Sequence, residues 1–204
     1  MRVNIKNNIK EVTKWTTNTQ KKQIPFATAM AINKTLGIGK GNRMKGLDRT
    51  MQKQMNQKLD RPMARTTKAF YRIPAKKMSL TGTLGFVDWA NNFMIYQVEG
   101  GVRSTGKNIP VPFVPNARLN KFGNITGKRT GLIKKKNQFF GSFGKAEGVF
   151  ERQRDNSVKL ITAFEQSVTY EPKLPFYKIA RKYSNAVIDK NFAFAFDKAL
   201  RTAK

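Results

Sequence analysis

The sequence predicts an α+β fold, in which N-terminal helices and a long C-terminal helix pack on a small antiparallel β-sheet, with a long irregular loop. Three observations predict it. Apolar residues recur every three or four positions up to Leu59, alternate with polar ones over much of 77–170, and return to helical spacing beyond Pro175. The change of period lies in Leu59–Asp88 (LDRPMARTTKAFYRIPAKKMSLTGTLGFVD). The chain reads as one domain: 1–72 mostly helical, 77–170 rich in strand with a loop over 103–130, and 175–203 helical.

Residues 4–20 have the pattern of an amphipathic helix, with Ile5, Ile9, Val12 and Trp15 or Thr16 on one face. Lys6, Lys10 and Lys14, at i, i+4 and i+8, form a separate basic stripe along the same helix, either a solvated face or one turned towards phosphates. Pro25 suits the first turn of a second helix, where its missing N–H costs nothing. That helix (PFATAMAINKTL) is apolar on most sides, and its small residues Ala27, Thr28, Ala29 and Ala31 admit another helix closely. It belongs in the core or in a subunit contact. GIGKGNRMKG follows, with glycines at 37, 39, 41 and 46. It is no Walker A loop, because Gly41 follows Lys40 where Ser or Thr is needed, and it follows a helix rather than a strand. It reads as a flexible or kinked connection whose Lys40, Arg43 and Lys45 can touch a phosphate backbone without reading its sequence. Leu47, Met51, Met55 and Leu59 then make a narrow i, i+4 seam, which implies a helix packed on one side only. Pro62 disfavours helix at Arg61. A further helical turn or two is expected through Phe70, until Pro74.

Lys77–Asp88 is the first predicted strand. Trp89–Val98 is apolar and aromatic, and fits either a short helix or a strand. Leu132–Lys136 starts another strand, continued by Phe139 and Phe140. Gly148–Gln153 and Val158–Thr169 form a hairpin around Asp155-Asn156-Ser157. In the C-terminal helix Phe176, Ile179 or Ala180, Tyr183, Val187, Phe192 or Ala195, and Ala199 trace one face. At about 100° per residue, Phe194 points about 200° away from it. Either that helix is gripped on two sides or Phe194 meets another subunit.

Composition narrows the function. The 204 residues contain no Cys and no His, which removes thiolate nucleophiles, the imidazole base and the usual zinc ligands. The 12 acidic residues are scattered, so no catalytic residue, metal site or cofactor is expected. No apolar run approaches 18 residues, so no membrane span is expected. Against those 12 stand 40 Lys and Arg, a net charge of +28 that calls for a polyanion or an acidic partner. Residues 1–80 hold 19 basic and 3 acidic side chains, and the rest hold 21 and 9. Six of the cations (Arg61, Arg65, Lys68, Arg72, Lys76 and Lys77) crowd the helix-to-strand change and read as the edge of a polyanion-facing surface. The contact candidates are Lys40, Arg43, Lys45, Arg129, Lys134, Lys135 and Lys136. The subunit-contact candidates are Phe26, Met30, Phe192, Phe194 and Phe196.

Four stretches occur in a telling order: IPFATAMAINKT; DRPMARTTKAFYRIPAKKMSLTGTLGFVD; QVEGGVR with VPNARLNKFGNIT after it; and FYKIARKYSNAVIDKNFAFAFDKAL. Together they cover most of the chain, and it resembles the minor tail protein Z and related tail-completion (neck) proteins of tailed phages. Met63-Ala64-Arg65 stands where Thr-Pro-Phe is usual there, and the glycine-rich stretch interrupts what is often continuous helix. The resemblance implies a ring-forming virion structural protein at the head–tail junction or the top of the tail. Its expected partners are further copies of itself, portal, adaptor or tail proteins, and genomic DNA held non-specifically. It implies no catalytic residues. A dedicated non-specific nucleic-acid-binding protein of ribosomal or nucleoid type is the alternative that charge and size suggest.

Overall fold

The computed structural model describes residues 9–39, 44–114, 116–125, 132–133 and 135–202. It is α+β, with helices α1 (Ile9–Asn18), α2 (Ile24–Leu36), α3 (Leu47–Lys58), α4 (Ala64–Thr67), α5 (Asp88–Val98) and α6 (Phe176–Arg201). The strands are β1 (Phe70–Ile73), β2 (Thr83–Phe86), β3 (Gly101–Pro112), β4 (Gln138–Phe143), β5 (Ala146–Arg152) and β6 (Val158–Tyr170). The chain packs as two compact units. One comprises Met1–Lys53, Ala69–Val87 and Phe176–Lys204, and the other Gln54–Lys68 and Asp88–Pro175. The division falls within α3.

In the first unit a π-helical turn, Thr19–Gln23, joins α1 to α2. Pro25 lies just beyond it, at the start of α2. A proline inside a continuous α-helix loses one hydrogen bond and clashes with the carbonyl four residues back. The wider π turn falls where that conflict would arise. The small side chains of α2 do what their size allows: Ala27 and Ala31 are buried against Ala195 and Ala199 of α6. A second cluster of Leu36, Leu47 and Met51 packs with Phe70 and Leu84 of the β1–β2 pair and with Phe176, Ile179 and Tyr183 of α6. β1 and β2 are antiparallel, with Phe70 opposite Phe86 and their rings stacked at 5.0 Å. Phe176 continues the aromatic row at 5.4 Å from Phe86, so α6 begins on this small sheet.

The glycine-rich connection is closed by a clasp. Gly37 caps α2 in the left-handed conformation, with φ of 89°. A Cβ on Gly37 would strike the Asp48 carboxylate, and one on Gly46 would strike the backbone at Thr35 and Gly37. Fully buried Asp48 accepts from the Gly46 N–H at 3.0 Å and the Arg49 N–H at 2.7 Å, and pairs with Arg72 at 2.8 Å. Arg72 also donates to the Gly37 carbonyl at 3.4 Å. The two ends of the connection are therefore fixed rather than flexible. Burial, and then the Asp48 charge, raise the Tyr183 hydroxyl above its ordinary pKa.

The second unit is built on a four-stranded antiparallel sheet in the order β3-β6-β5-β4. Val149, Phe150 and Thr162 are buried in it, and Phe143 meets Phe150 edge-on at 4.8 Å. α5 turns Ala90 and Met94 inward, and its Gln97 carbonyl accepts the N–H groups of Lys173 and buried Leu174 at 2.9 and 2.8 Å.

Several boundaries differ from the sequence reading. Phe70–Ile73 is strand rather than helix, because Phe70 finds its partner in Phe86. Residues 77–82 are not strand, and Met78 is 98% exposed. Trp89–Val98 is helical. Residues 103–112, read as loop, belong to β3 and pair with β6 despite Pro110 and Pro112. The strand expected from Leu132 starts at Gln138. The end of α3 agrees with the reading: the helix stops at Lys58, and Arg61, just before Pro62, is in the left-handed region with φ of 45°.

Candidate functional site

The β5–β6 hairpin ends in a turn specified by its own polar residues. Asp155 accepts from the Ser157 N–H at 3.0 Å and from its hydroxyl at 2.6 Å. Asn156 takes the left-handed conformation, which asparagine tolerates well. The Gln153 N–H closes the turn on the Ser157 carbonyl at 2.8 Å. Beside the turn, the start of β4 is tied to β5: the Arg152 N–H donates to the Asn137 carbonyl at 2.9 Å, and the Asn137 side chain donates to the Arg152 carbonyl at 2.8 Å.

These elements bring Lys136, Arg152, Arg154 and Lys159 around an open depression of about 820 Å³. Its two carboxylates are already engaged. Lys135 and Gln138 hydrogen-bond Glu151 at 2.7 and 2.8 Å and hold its carboxyl below the usual carboxylate range. The Ser157 hydroxyl and N–H do the same for Asp155. The Arg152 guanidinium lies 5.7 Å from the centre of the Phe139 ring. Among the described residues, no ion pair engages Lys136, Arg152, Arg154 or Lys159. The depression is a cationic surface able to take anionic oxygens from outside the chain. Among the described residues, no three or more Asp, Glu, Cys or His come together as a metal-binding group.

Of the seven predicted contact cations, Lys40, Arg43, Arg129 and Lys134 lie outside the described residues. Lys45 is exposed. Lys136 lines the depression, and Lys135 stands beside it with its charge spent on Glu151. Arg152, Arg154 and Lys159 were missed. The available signal was ERQRDNSVK, with three cations between Arg152 and Lys159 about a readable turn. The cations near the change of period are partly absorbed by the fold. Arg72 balances Asp48, Arg61 pairs with Asp60, Arg65 lies 4.7 Å over Trp89, and Lys77 lies 4.9 Å over Phe26.

The five predicted subunit-contact residues fall on one helix pair. Phe26, Met30, Phe192 and Phe196 are partly buried against the alanine cluster between α2 and α6. Phe192 and Phe196 stack at 5.8 Å. Phe194 points elsewhere and is 54% exposed, with the Lys34 ammonium 3.7 Å from its ring centre.

Fold and surface together define an α+β protein with a cationic sheet end. No protein-family model, no curated protein and no solved structure matches the chain. Among the described residues, no helix is long and apolar enough to cross a membrane.

Proposed function

We propose that the chain is a structural virion protein of a tailed phage, placed at the head–tail junction or the top of the tail. There it completes the tail or joins it to the head, and tolerates the DNA that passes. The role is non-catalytic and needs no cofactor. The neighbours in this reading are further copies in a ring, and portal, adaptor or tail proteins, assembled in the host cytoplasm. The ordered resemblance over most of the chain supports the virion role. The observation that carries the polyanion-facing part is the set of four cations, none in an ion pair among the described residues, around a depression with two carboxylates, one of them paired with Lys135. Phosphate contacts of this kind need only Lys and Arg, and no base readout.

The experiment is deletion of the gene, or truncation before Phe192, followed by electron microscopy of the particles. Full heads without functional tails, or tails that fail to join, are expected, and normal infectious virions would sink the proposal. The second reading, a dedicated nucleic-acid-binding protein, is favoured by the same cations. It requires nanomolar, steeply salt-dependent DNA binding by the isolated chain together with intact virions in its absence.

A further inference from the structure

The two edges of the four-stranded sheet are unlike. β3 is blunted by Pro110 and Pro112, which have no N–H to offer, and its register is broken between Ser104 and Ile109. β4, at the other edge, reads QFFGSF, with no proline and no charge. Its hydrogen-bonding sense follows from one bond. The Asn137 carbonyl faces β5, where it accepts the Arg152 N–H at 2.9 Å. By alternation Phe139, Gly141 and Phe143 also face β5, and the backbone groups of Phe140 and Ser142 point off the sheet. Among the described residues, none hydrogen-bonds to them. Phe140 and Phe143, on opposite faces of the strand, are 58% and 47% exposed.

We propose that β4 is a pairing edge for β4 of a second copy, joined antiparallel about a two-fold axis at Gly141. Charge argues for this occupant. Copies of a chain with net charge +28 repel over most of their surface, and Gln138–Gly144 is an uncharged stretch where they can meet. The strand is also self-complementary. With Gly141 opposite Gly141 of the second copy, Phe140 falls opposite Ser142, and these two residues exchange both backbone hydrogen bonds on each side of the axis. Gly141 then occupies the narrow, non-hydrogen-bonded position. A Cβ there would lie 3.2 and 3.3 Å from the rings of Phe143 and Phe139, so glycine keeps both the rings and the approach clear. The aromatic group of Phe139, Phe143 and Phe150 continues across the axis as Phe139 falls opposite Phe143. With the prolines of β3 at both outer edges, growth by strand pairing stops at two copies, and a ring of the kind proposed above would be built through other surfaces. This pairing does not depend on the virion role proposed above.

The test is the mass of the full chain in about 1 M salt, where the Debye length is about 3 Å and repulsion is screened. A species of twice the 23.2 kDa chain mass is expected by sedimentation equilibrium. The Phe140 and Ser142 amides should gain hydrogen-exchange protection as concentration rises. Ser142→Pro removes one outward N–H from each copy, a change an edge strand tolerates, and should weaken the dimer by about tenfold or more with an unchanged circular dichroism spectrum. Ser142→Lys, at an exposed position, should weaken it more at low salt than at high salt. A chain that stays monomeric at every concentration, or a dimer unmoved by both variants and without protection at Phe140 and Ser142, overturns the proposal.

Discussion

Asp48 is a charged side chain with no access to water, and its stability rests on three neighbours. Two are backbone N–H groups, and the third is Arg72, reached across the fold from β1. Breaking a buried pair on one side leaves the other charge unsolvated. Arg72→Ala is therefore expected to cost about 3 kcal/mol, measured by urea denaturation, with Arg72→Lys recovering only part of it because lysine lacks the planar fork. Tyr183, near the same carboxylate, gives a pH signature. Its raised folded-state pKa means that the native chain holds the phenolic proton more tightly than the unfolded chain does. The contribution is thus fully present below the unfolded value of about 10 and is lost as pH rises from there through the folded value. Tyr183→Phe should flatten the fall in stability above about pH 10 relative to the parent chain, read from melting temperatures across that range. Little of this clasp is legible in GIGKGNRMKG itself: Gly37 is explained by Asp48 beyond the stretch, Gly46 by its close approach to the backbone of Thr35 and Gly37, and Arg72 is further still.

At the scale of elements, the α2–α6 contact is an alanine seam. Ala27, Ala31, Ala195 and Ala199 let two helices approach where larger side chains would hold them apart. Ala31→Leu should destabilise by about 1–3 kcal/mol through overpacking, seen as a lowered melting temperature, although the change raises hydrophobicity. The seam of α2 was legible from its alanines, of which Ala27 and Ala31 meet α6, whereas Thr28, read with them, bonds the Ile24 carbonyl instead; α6 was legible from the apolar residues that recur along it. The hairpin of β5 and β6 was equally readable from its turn residues. What was not readable depends on partners distant in sequence. Four residues of β1 carry too little pattern to outweigh a preceding helical stretch. β3 has the composition of a loop, and is strand because β6 lies beside it and because an edge strand tolerates proline.

For the molecule as a whole, charge is the dominant property, and the fold sorts it. Some cations are consumed internally, as Arg72 and Lys135 are, and others stand outward around the sheet-end depression. Composition revealed the excess but could not do this sorting, since whether a lysine is spent depends on a carboxylate that meets it only in three dimensions. Replacing Lys136, Arg152, Arg154 and Lys159 together with Gln should weaken duplex DNA binding and make its log–log salt dependence shallower by about 0.9 for each phosphate no longer neutralised. An unchanged slope, by fluorescence anisotropy across a salt series, would count against the depression as a phosphate-contacting surface.

The first unit is assembled from three separated stretches, and this sets an order of events during synthesis. Gln54–Lys68 and Asp88–Pro175 leave the ribosome before α6 does, so the sheet unit has all its residues while its neighbour lacks a wall. Until Phe176–Arg201 emerges, the alanine face of α2 and the side chains of Leu36 and Met51 have no α6 to cover them. The nascent chain therefore carries an uncovered apolar face through much of its translation, and closure of that unit waits on one helix.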